Sequence, residues 1–317
     1  VSKDFQNIEQ NLNLIKTQQE EFFSNYDKIE ASKNVELEKA NNSIIYKKDK
    51  VGSSVAVSNK VNFSKSIENK IYKTEKFDLM FKSIVDNNKN IIAAYFNSHD
   101  NINRYYPYID DVYKVFTPSF DVRDYNFYSK ANLVNNPKKE IVWTNVYLDP
   151  ATKKWITSVI APIYKDGFLE GVTGFDVSVE NIVNQFLKID LPYDASSFIL
   201  NNQGRVIAMP EKIRELFKID KVELSFDKRK IKNTIYQPDD YNIFHKDDKN
   251  IKNNFRRILS DKPYFNKMKI DDETYFVFSK KLDKAPWYVI SLVSKDKVLK
   301  SLNEIKSHYE NLGYFVI

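Results

Sequence analysis

Residues 120–131 read FDVRDYNFYSKA, and residues 142–179 read VWTNVYLDPATKKWITSVIAPIYKDGFLEGVTGFDVSV. The first piece has the marks of a short helix, with Asp121 or Asp124 placed to cap it. The second divides into three strands, punctuated by Asp149-Pro150 and by a turn at Lys165-Asp166-Gly167. In its last strand, Phe175, Val177 and Val179 share an apolar face, which puts Gly174 and Asp176 together on the other. In its first strand (IVWTNVYLD, 141–149) one face carries Trp143, Asn145, Tyr147 and Asp149. Aromatic and acidic side chains are thus spaced to line a pocket. The stretch holds no nucleophile, metal cage or phosphate loop, so it points to a receptor for small molecules rather than to a catalyst.

Towards the N-terminus, INRYYPYI (102–109) reads as an aromatic strand, HDN as a turn and NIIAAYFNS (90–98) as a buried strand. A helical region covers about 63–87, and before it lies a polar connection, KKDKVGSSVAVSNK (47–60). The N-terminal residues carry one apolar seam: Phe5, Ile8, Leu12, Ile15, Gln19, Phe22, Tyr26 and Ile29, in steps of three and four. That predicts a helix of some 30 residues lying along the domain, with a seam that also allows a homodimer.

Towards the C-terminus, VENIVNQFLKI (179–189) is an amphipathic helix, and a sparser version of the same plan begins near Tyr193. SSFILNN and RVIAMP (196–210) form a hairpin, EKIRELF (211–217) a helix, and a Lys/Asn/Asp-rich insertion spans 218–254. MKIDDETYFVFSKKL (268–282) and APWYVISLVS (285–294) then pair as strands. A final helix from Lys295 places Val298, Leu302, Ile305, Tyr309 and Leu312 on one stripe. The fold class is α+β, a long N-terminal helix followed by two PAS-like antiparallel-sheet modules. The expected divisions are 1–61 (helix and connection), 62–191 (first module), 192–294 (second module) and 295–317 (exit helix).

A chain of 317 residues buries two cores comfortably, and 42% hydrophobic residues exclude a disordered chain. The absence of cysteine excludes disulfides and thiolate metal sites. The net charge of +6 arises between Glu211 and Ile270, where 16 Lys/Arg outnumber 10 Asp/Glu. A solvated Lys-rich face explains it, and no nucleic-acid partner is implied. The alternative function is an adhesion or scaffold module that meets a polyanion or protein through this region. His99, His245 and His308 lie far apart in polar contexts, and no HExxH, Walker or GxSxG pattern occurs. No cofactor and no metal are implied. No run of about 18 apolar residues occurs. The chain begins at Val1 and ends in the apolar LGYFVI, and membrane spans are expected on either side.

The helix FDVRDYNFYSKA, the strands VYLDPATKKWITSVIAPIY and GFLEGVTGFDVSV, and PWYVISLVSKDKVL in the second module resemble, in order and spacing, double Cache (dCache) sensor domains. These are the extracytoplasmic ligand-binding regions of bacterial and archaeal chemoreceptors, histidine kinases and diguanylate cyclases. The resemblance implies that the first, membrane-distal module binds a small molecule such as an amine, an amino acid or a relative. It matches Tyr128 to the last aromatic of the family's helix motif, Phe127 to its Trp, and Asp176 to the carboxylate on the closing strand. Phe120 and Tyr125 stand where that motif has Tyr and Arg. A tyrosine cannot supply the charged, bidentate fork that holds a carboxylate. Arg123 is the nearby substitute, although two residues along a helix turn a side chain by about 200°. A cationic ligand would pair with Asp176, with Asp149 as a second carboxylate and Tyr125, Phe127, Tyr128, Trp143 and Tyr147 as aromatic walls. Tyr106, in the cluster on the preceding strand, is a further wall or lid residue.

Overall fold

The computed structural model describes residues 2–32, 35–186, 191–219, 234–236, 242–245, 249–259, 264–283 and 285–314. The chain forms two units, Val1–Ile182 with Ser225–Tyr236, and Val183–Leu224 with Gln237–Ile317. It therefore passes from one unit to the other three times.

In the first unit, helix α1 (Ser2–Ser24) ends well short of the 30 residues expected, and a 3₁₀ turn follows at Tyr26–Lys28. Its seam faces its own sheet: Phe5, Ile8, Leu12, Ile15 and Phe23 are buried, and α1 packs on two long strands, Trp155–Lys165 and Phe168–Ser178. Gln19, the polar break in the seam, is buried there too, and neither amide atom has a hydrogen-bond partner among the described residues. Phe23 rather than Phe22 takes the fully buried position, and it meets Phe96 at 5.6 Å between ring centres.

Three strands for which no strand was expected precede residue 61: β1 (Leu37–Lys39), β2 (Ile45–Lys47) and β3 (Ser54–Val57), the last within the polar stretch 47–60. All four residues of β3 are buried. Small side chains enclosed on both faces leave no alternation to read, which hid this strand in the sequence. The helical region resolves into α2 (Lys65–Thr74), whose N-cap Ser64 accepts from the Ile67 N–H, and α3 (Phe77–Asn87). Next come β4 (Ile91–Ser98), β5 (Ile102–Tyr106), α4 (Asn126–Ser129), β6 (Val142–Trp143), β7 (Tyr147–Leu148), β8 (Trp155–Lys165), β9 (Phe168–Ser178) and α5 (Val179–Phe186), within which the unit boundary falls. A 3₁₀ turn at Val122–Asp124 precedes α4, and Asp121, not Asp124, caps it through the Arg123 N–H (3.0 Å).

The second unit opens with β10 (Ser196–Asn201), β11 (Val206–Ala208) and α6 (Glu211–Leu216). A two-residue strand, β12 (Ile235–Tyr236), belongs to the first unit. It is followed by α7 (Lys249–Ile258), β13 (Tyr264–Ile270), β14 (Glu273–Lys281), β15 (Trp287–Ser294) and α8 (Lys295–Tyr314). Much of the 218–254 insertion lies outside the described residues. The stretch 268–282 is not one strand. Asp271, at φ +50°, turns the chain between Ile270 and Glu273, making β13 and β14 a hairpin with a two-residue loop. Phe198, Phe217, Phe255 and Ile290 are among the residues that fill this unit's core.

The strands of the first unit run β1-β2-β3-β5-β4-β9-β8-β7-β12, with β6 also on β8, and those of the second β11-β10-β15-β14-β13. One face of the first sheet carries α1. A buried charge cluster fastens the paired helices α2 and α3 to it: Arg104 donates to Glu75 (2.7 Å), Asp78 (3.2 Å) and the Ile71 carbonyl (2.7 Å), and Lys47 binds Glu75 and Asp49. Gly52 closes against this cluster at φ +72°, where a Cβ would fall 1.9 Å from an Asp78 carboxylate oxygen. The opposite face is left for the site.

Candidate functional site

Alternation along the five central strands decides which side chains meet on that opposite face. In the ladders, Asp176 stands opposite Ser158 on β8 and Ala93 on β4, Gly174 opposite Tyr95, and Tyr95 opposite Tyr105 on β5. Asp176, Ser158, Tyr95 and Tyr105 therefore project together, as Phe175 and Val177 point the other way. Gly174 allows the close approach. A Cβ there would lie 2.6 Å from the Tyr95 ring and hydroxyl.

Ser158 Oγ donates to Asp176 Oδ1 (2.7 Å), and the Tyr147 hydroxyl lies 2.7 Å from the same Ser158 oxygen. The Tyr95 and Tyr105 hydroxyls are buried and have no hydrogen-bond partner among the described residues, although both feel Asp176 and Asp149. Their rings are parallel, 6.4 Å apart. Phe127, on α4, stacks on Tyr125 (5.0 Å) and meets Tyr95 edge-on (5.9 Å) and Tyr147 at 6.2 Å. These aromatics close over the carboxyl from above the sheet.

Asp149 lies in the turn before β8 and is fully enclosed. Its oxygens accept the N–H groups of Ala151 (3.0 Å) and Thr152 (2.8 Å) and the Thr152 hydroxyl (2.5 Å), the arrangement an Asp-Pro turn favours. Asp149 is therefore a turn-former as well as the second carboxylate of the site. Burial raises the Asp149 carboxyl despite these donors. Burial, and then repulsion from Asp149, push Asp176 well above the usual carboxylate range, against the lowering effect of the Ser158 hydrogen bond. No salt bridge reaches Asp176 among the described residues. Lys153, the cation that acts on Asp149, gives its Nζ to the Pro150 carbonyl (2.6 Å). Tyr125 is held up to about 12 by burial and Asp124.

Of the residues singled out from sequence, the structure gathers Asp176, Asp149, Tyr147, Phe127 and Tyr125. Tyr128 is buried in the same layer with an unpartnered hydroxyl, but the charges acting on it are Arg123, Asp121 and Asp100 rather than the two buried carboxylates. Three others lie elsewhere. Trp143 stands on the α1 side, packed on Phe5 (4.6 Å) and donating from Nε1 to Glu9 (2.9 Å). The reason is register. Trp143 pairs with Val159 and Tyr147 with Ile156, so four residues on one side span three on the other, and the extra residue flips the face. Tyr106 shares its face with Arg104, on the helix side, and Tyr105 takes the place expected of it. Arg123 is half exposed and its guanidinium grips Asp121 (2.7 and 2.6 Å), so it does not replace the missing arginine.

Tyr95, Tyr105 and Ser158 were not singled out from sequence. The signal for Tyr105 and Tyr95 was strand parity counted from Asp176, which needs the pairing register as well as the sequence. Groups of His, Cys, Asp and Glu able to hold a metal ion are absent among the described residues.

The sequence pattern of the family described as Cache domain (dCache_1) matches residues 6–302. No curated protein matches the chain. Among solved structures, the chain is similar to the ligand-binding domain of Pseudomonas fluorescens chemoreceptor CtaA in complex with L-isoleucine, at 20% identity and a TM-score of 0.44, over 69% of this chain and 74% of that one. It is similar also to the ligand-binding domain of the Pseudomonas aeruginosa PAO1 amino acid chemoreceptor PctB in complex with L-Gln, at 16% identity and a TM-score of 0.47, over 74% and 82% of the two chains. The match over nearly the whole length settles the family: the chain belongs to the double Cache domains, and is a non-catalytic ligand-binding domain.

Proposed function

We propose that the chain is the extracytoplasmic sensor region of a membrane-anchored signalling receptor, and that its first unit binds a small molecule through a cationic amine. The observation that carries this reading is Asp176: a carboxyl enclosed beside a second carboxylate, with no cation paired to it among the described residues. A buried carboxyl in that position is either protonated or compensated by a cation, and a ligand ammonium supplies the cation. Tyr95 and Tyr105 add unpartnered hydroxyls to complete its hydrogen bonds. Aromatic faces at Phe127, Tyr125 and Tyr147 suit the rest of an organic cation.

The carboxylate end of an amino acid finds less. Tyr125 stands where the family's arginine does, and Arg123 is committed to Asp121. Amines are therefore favoured over α-amino acids. The described residues contain no helix long and apolar enough to cross a membrane. Anchoring is assigned to spans before Val1 and after Ile317, and reading the full-length gene tests it. Since α1 buries its apolar seam on its own sheet, pairing of two copies through this helix would use its outer face.

A thermal-shift screen of amines, amino acids and simple carboxylates tests the ligand class. Amines should raise the melting temperature, and Asp176→Ala should abolish that rise while leaving the fold intact. A response confined to carboxylates, or one that persists in the variant, overturns the reading.

A further inference from the structure

We propose that Thr234, within the insertion, is a positioning residue of the sensory unit: with Ile235 and Tyr236 it holds the two wall elements that carry Phe127 and Tyr147. The observations are three contacts. Helix α4 has Tyr125 as its N-cap residue, and that side chain makes no capping hydrogen bond. The Asn126 N–H at the start of α4 instead donates to Thr234 Oγ1 (2.9 Å), a cap supplied from 108 residues away. The Thr234 hydroxyl in turn lies 3.3 Å from Asn126 Oδ1. Directly after it, Ile235 and Tyr236 pair antiparallel with Leu148 and Tyr147, so β12 closes the outer edge of β7.

Each contact answers a local need. Asn126 is buried, and a buried N–H without an acceptor is costly. Strand β7 is two residues long and pairs with β8 on one side only, so its other edge is open without β12. The path from β12 into the site is short: Tyr236 pairs with Tyr147, the Tyr147 hydroxyl meets Ser158 (2.7 Å), and Ser158 donates to Asp176 (2.7 Å). Through Asn126, Thr234 fixes the helix on which Phe127 reaches Tyr95 and Tyr147. Thr234 acts without touching the ligand. It sets where the groups that do so stand. The inference rests on the first unit being the sensory one and not on the charge of what it binds.

Amide hydrogen exchange on the whole chain, without added ligand, tests it on wild type, Thr234→Val and Thr234→Ser. In Thr234→Val, exchange at residues 125–129 and 147–148 should rise by roughly tenfold or more, as expected when a buried N–H loses its acceptor. Exchange in β9, at residues 172–177, should stay as in wild type. Thr234→Ser keeps the hydroxyl and should restore protection. Unchanged exchange at 125–129 in Thr234→Val overturns the proposal, as does failure of Thr234→Ser to restore it. A rise that includes β9 also overturns it, because Thr234 would then hold the fold as a whole and not the wall. Because no ligand enters the measurement, failure of the amine reading leaves this result standing.

Discussion

Ser158 Oγ donates to Asp176 Oδ1 at 2.7 Å from the residue directly opposite it in the β8–β9 ladder. The serine partly stabilises an ionised carboxyl, but burial and Asp149 outweigh it and leave Asp176 raised. A raised acid binds its proton more tightly in the folded chain than in the unfolded one. Its contribution to stability is present in full below the unfolded value, near 4, and is lost as pH rises through the folded value. The ligand-free protein should therefore melt at lower temperature as pH rises above about 4. Asp176→Asn, which keeps the shape and removes the titration, should flatten that slope. Melting curves across pH on both proteins check this, and an equal slope in the variant would remove Asp176 as its source.

Binding should show the opposite trend. A cation pairs with the ionised carboxylate, so ligand uptake displaces the proton that Asp176 holds when empty. Affinity for a primary amine should increase with pH over the range in which the amine stays charged. Calorimetry at two pH values, in buffers of different ionisation enthalpy, would show proton release on binding; no release would mean the carboxyl is already ionised.

The two glycines of β9 should fail in different ways. At Gly171 a Cβ would meet the Asn97 carbonyl at 2.4 Å, a backbone atom that cannot swing aside. At Gly174 it meets the ring and hydroxyl of Tyr95 at 2.6 Å. Gly171→Ala should cost about 1–3 kcal/mol or more, the range for overpacking. Gly174→Ala should displace Tyr95 and weaken ligand response more than it lowers the melting temperature. Thermal and binding measurements on the pair separate the two effects.

Arg123→Ala should leave ligand response unchanged. The pair it makes with Asp121 is half exposed and screened by solvent, so the loss of stability should be below about 1 kcal/mol. A large loss of binding in this variant would restore Arg123 to the site.

Arg104 behaves otherwise, because it is enclosed and its removal leaves Glu75 and Asp78 to share Lys47 as their remaining cation in the cluster. Arg104→Met should destabilise the first unit by about 3–5 kcal/mol, as measured by denaturant unfolding.

Where local periodicity governs, the sequence was readable. The sharing of a face by Asp176 and Gly174 follows from a strand of unbroken alternation, and the burial of Phe5, Ile8, Leu12 and Ile15 from a helix of unbroken period. Reading failed where a single residue changes parity. The extra residue between Trp143 and Tyr147 sent one to α1 and the other to the site. Choosing Tyr106 over Tyr105 was the same error by one position. The Asp271 turn was missed because Asp-Asp lacks the glycine that usually marks a two-residue hairpin loop. Thr234 was out of reach altogether, since nothing local to it signals a cap delivered across 108 residues.

The path of the chain between units also bears on engineering. Hybrid receptors are commonly built by joining the sensing part of one protein to the output part of another at a single splice point. Here a splice after Ile182 would carry α4 and β7 into the hybrid but leave Ser225–Tyr236 behind. The unit transferred would be contiguous in sequence and incomplete in space. A graft faithful to this molecule takes two segments, and the second is the one that an alignment of domain boundaries would discard.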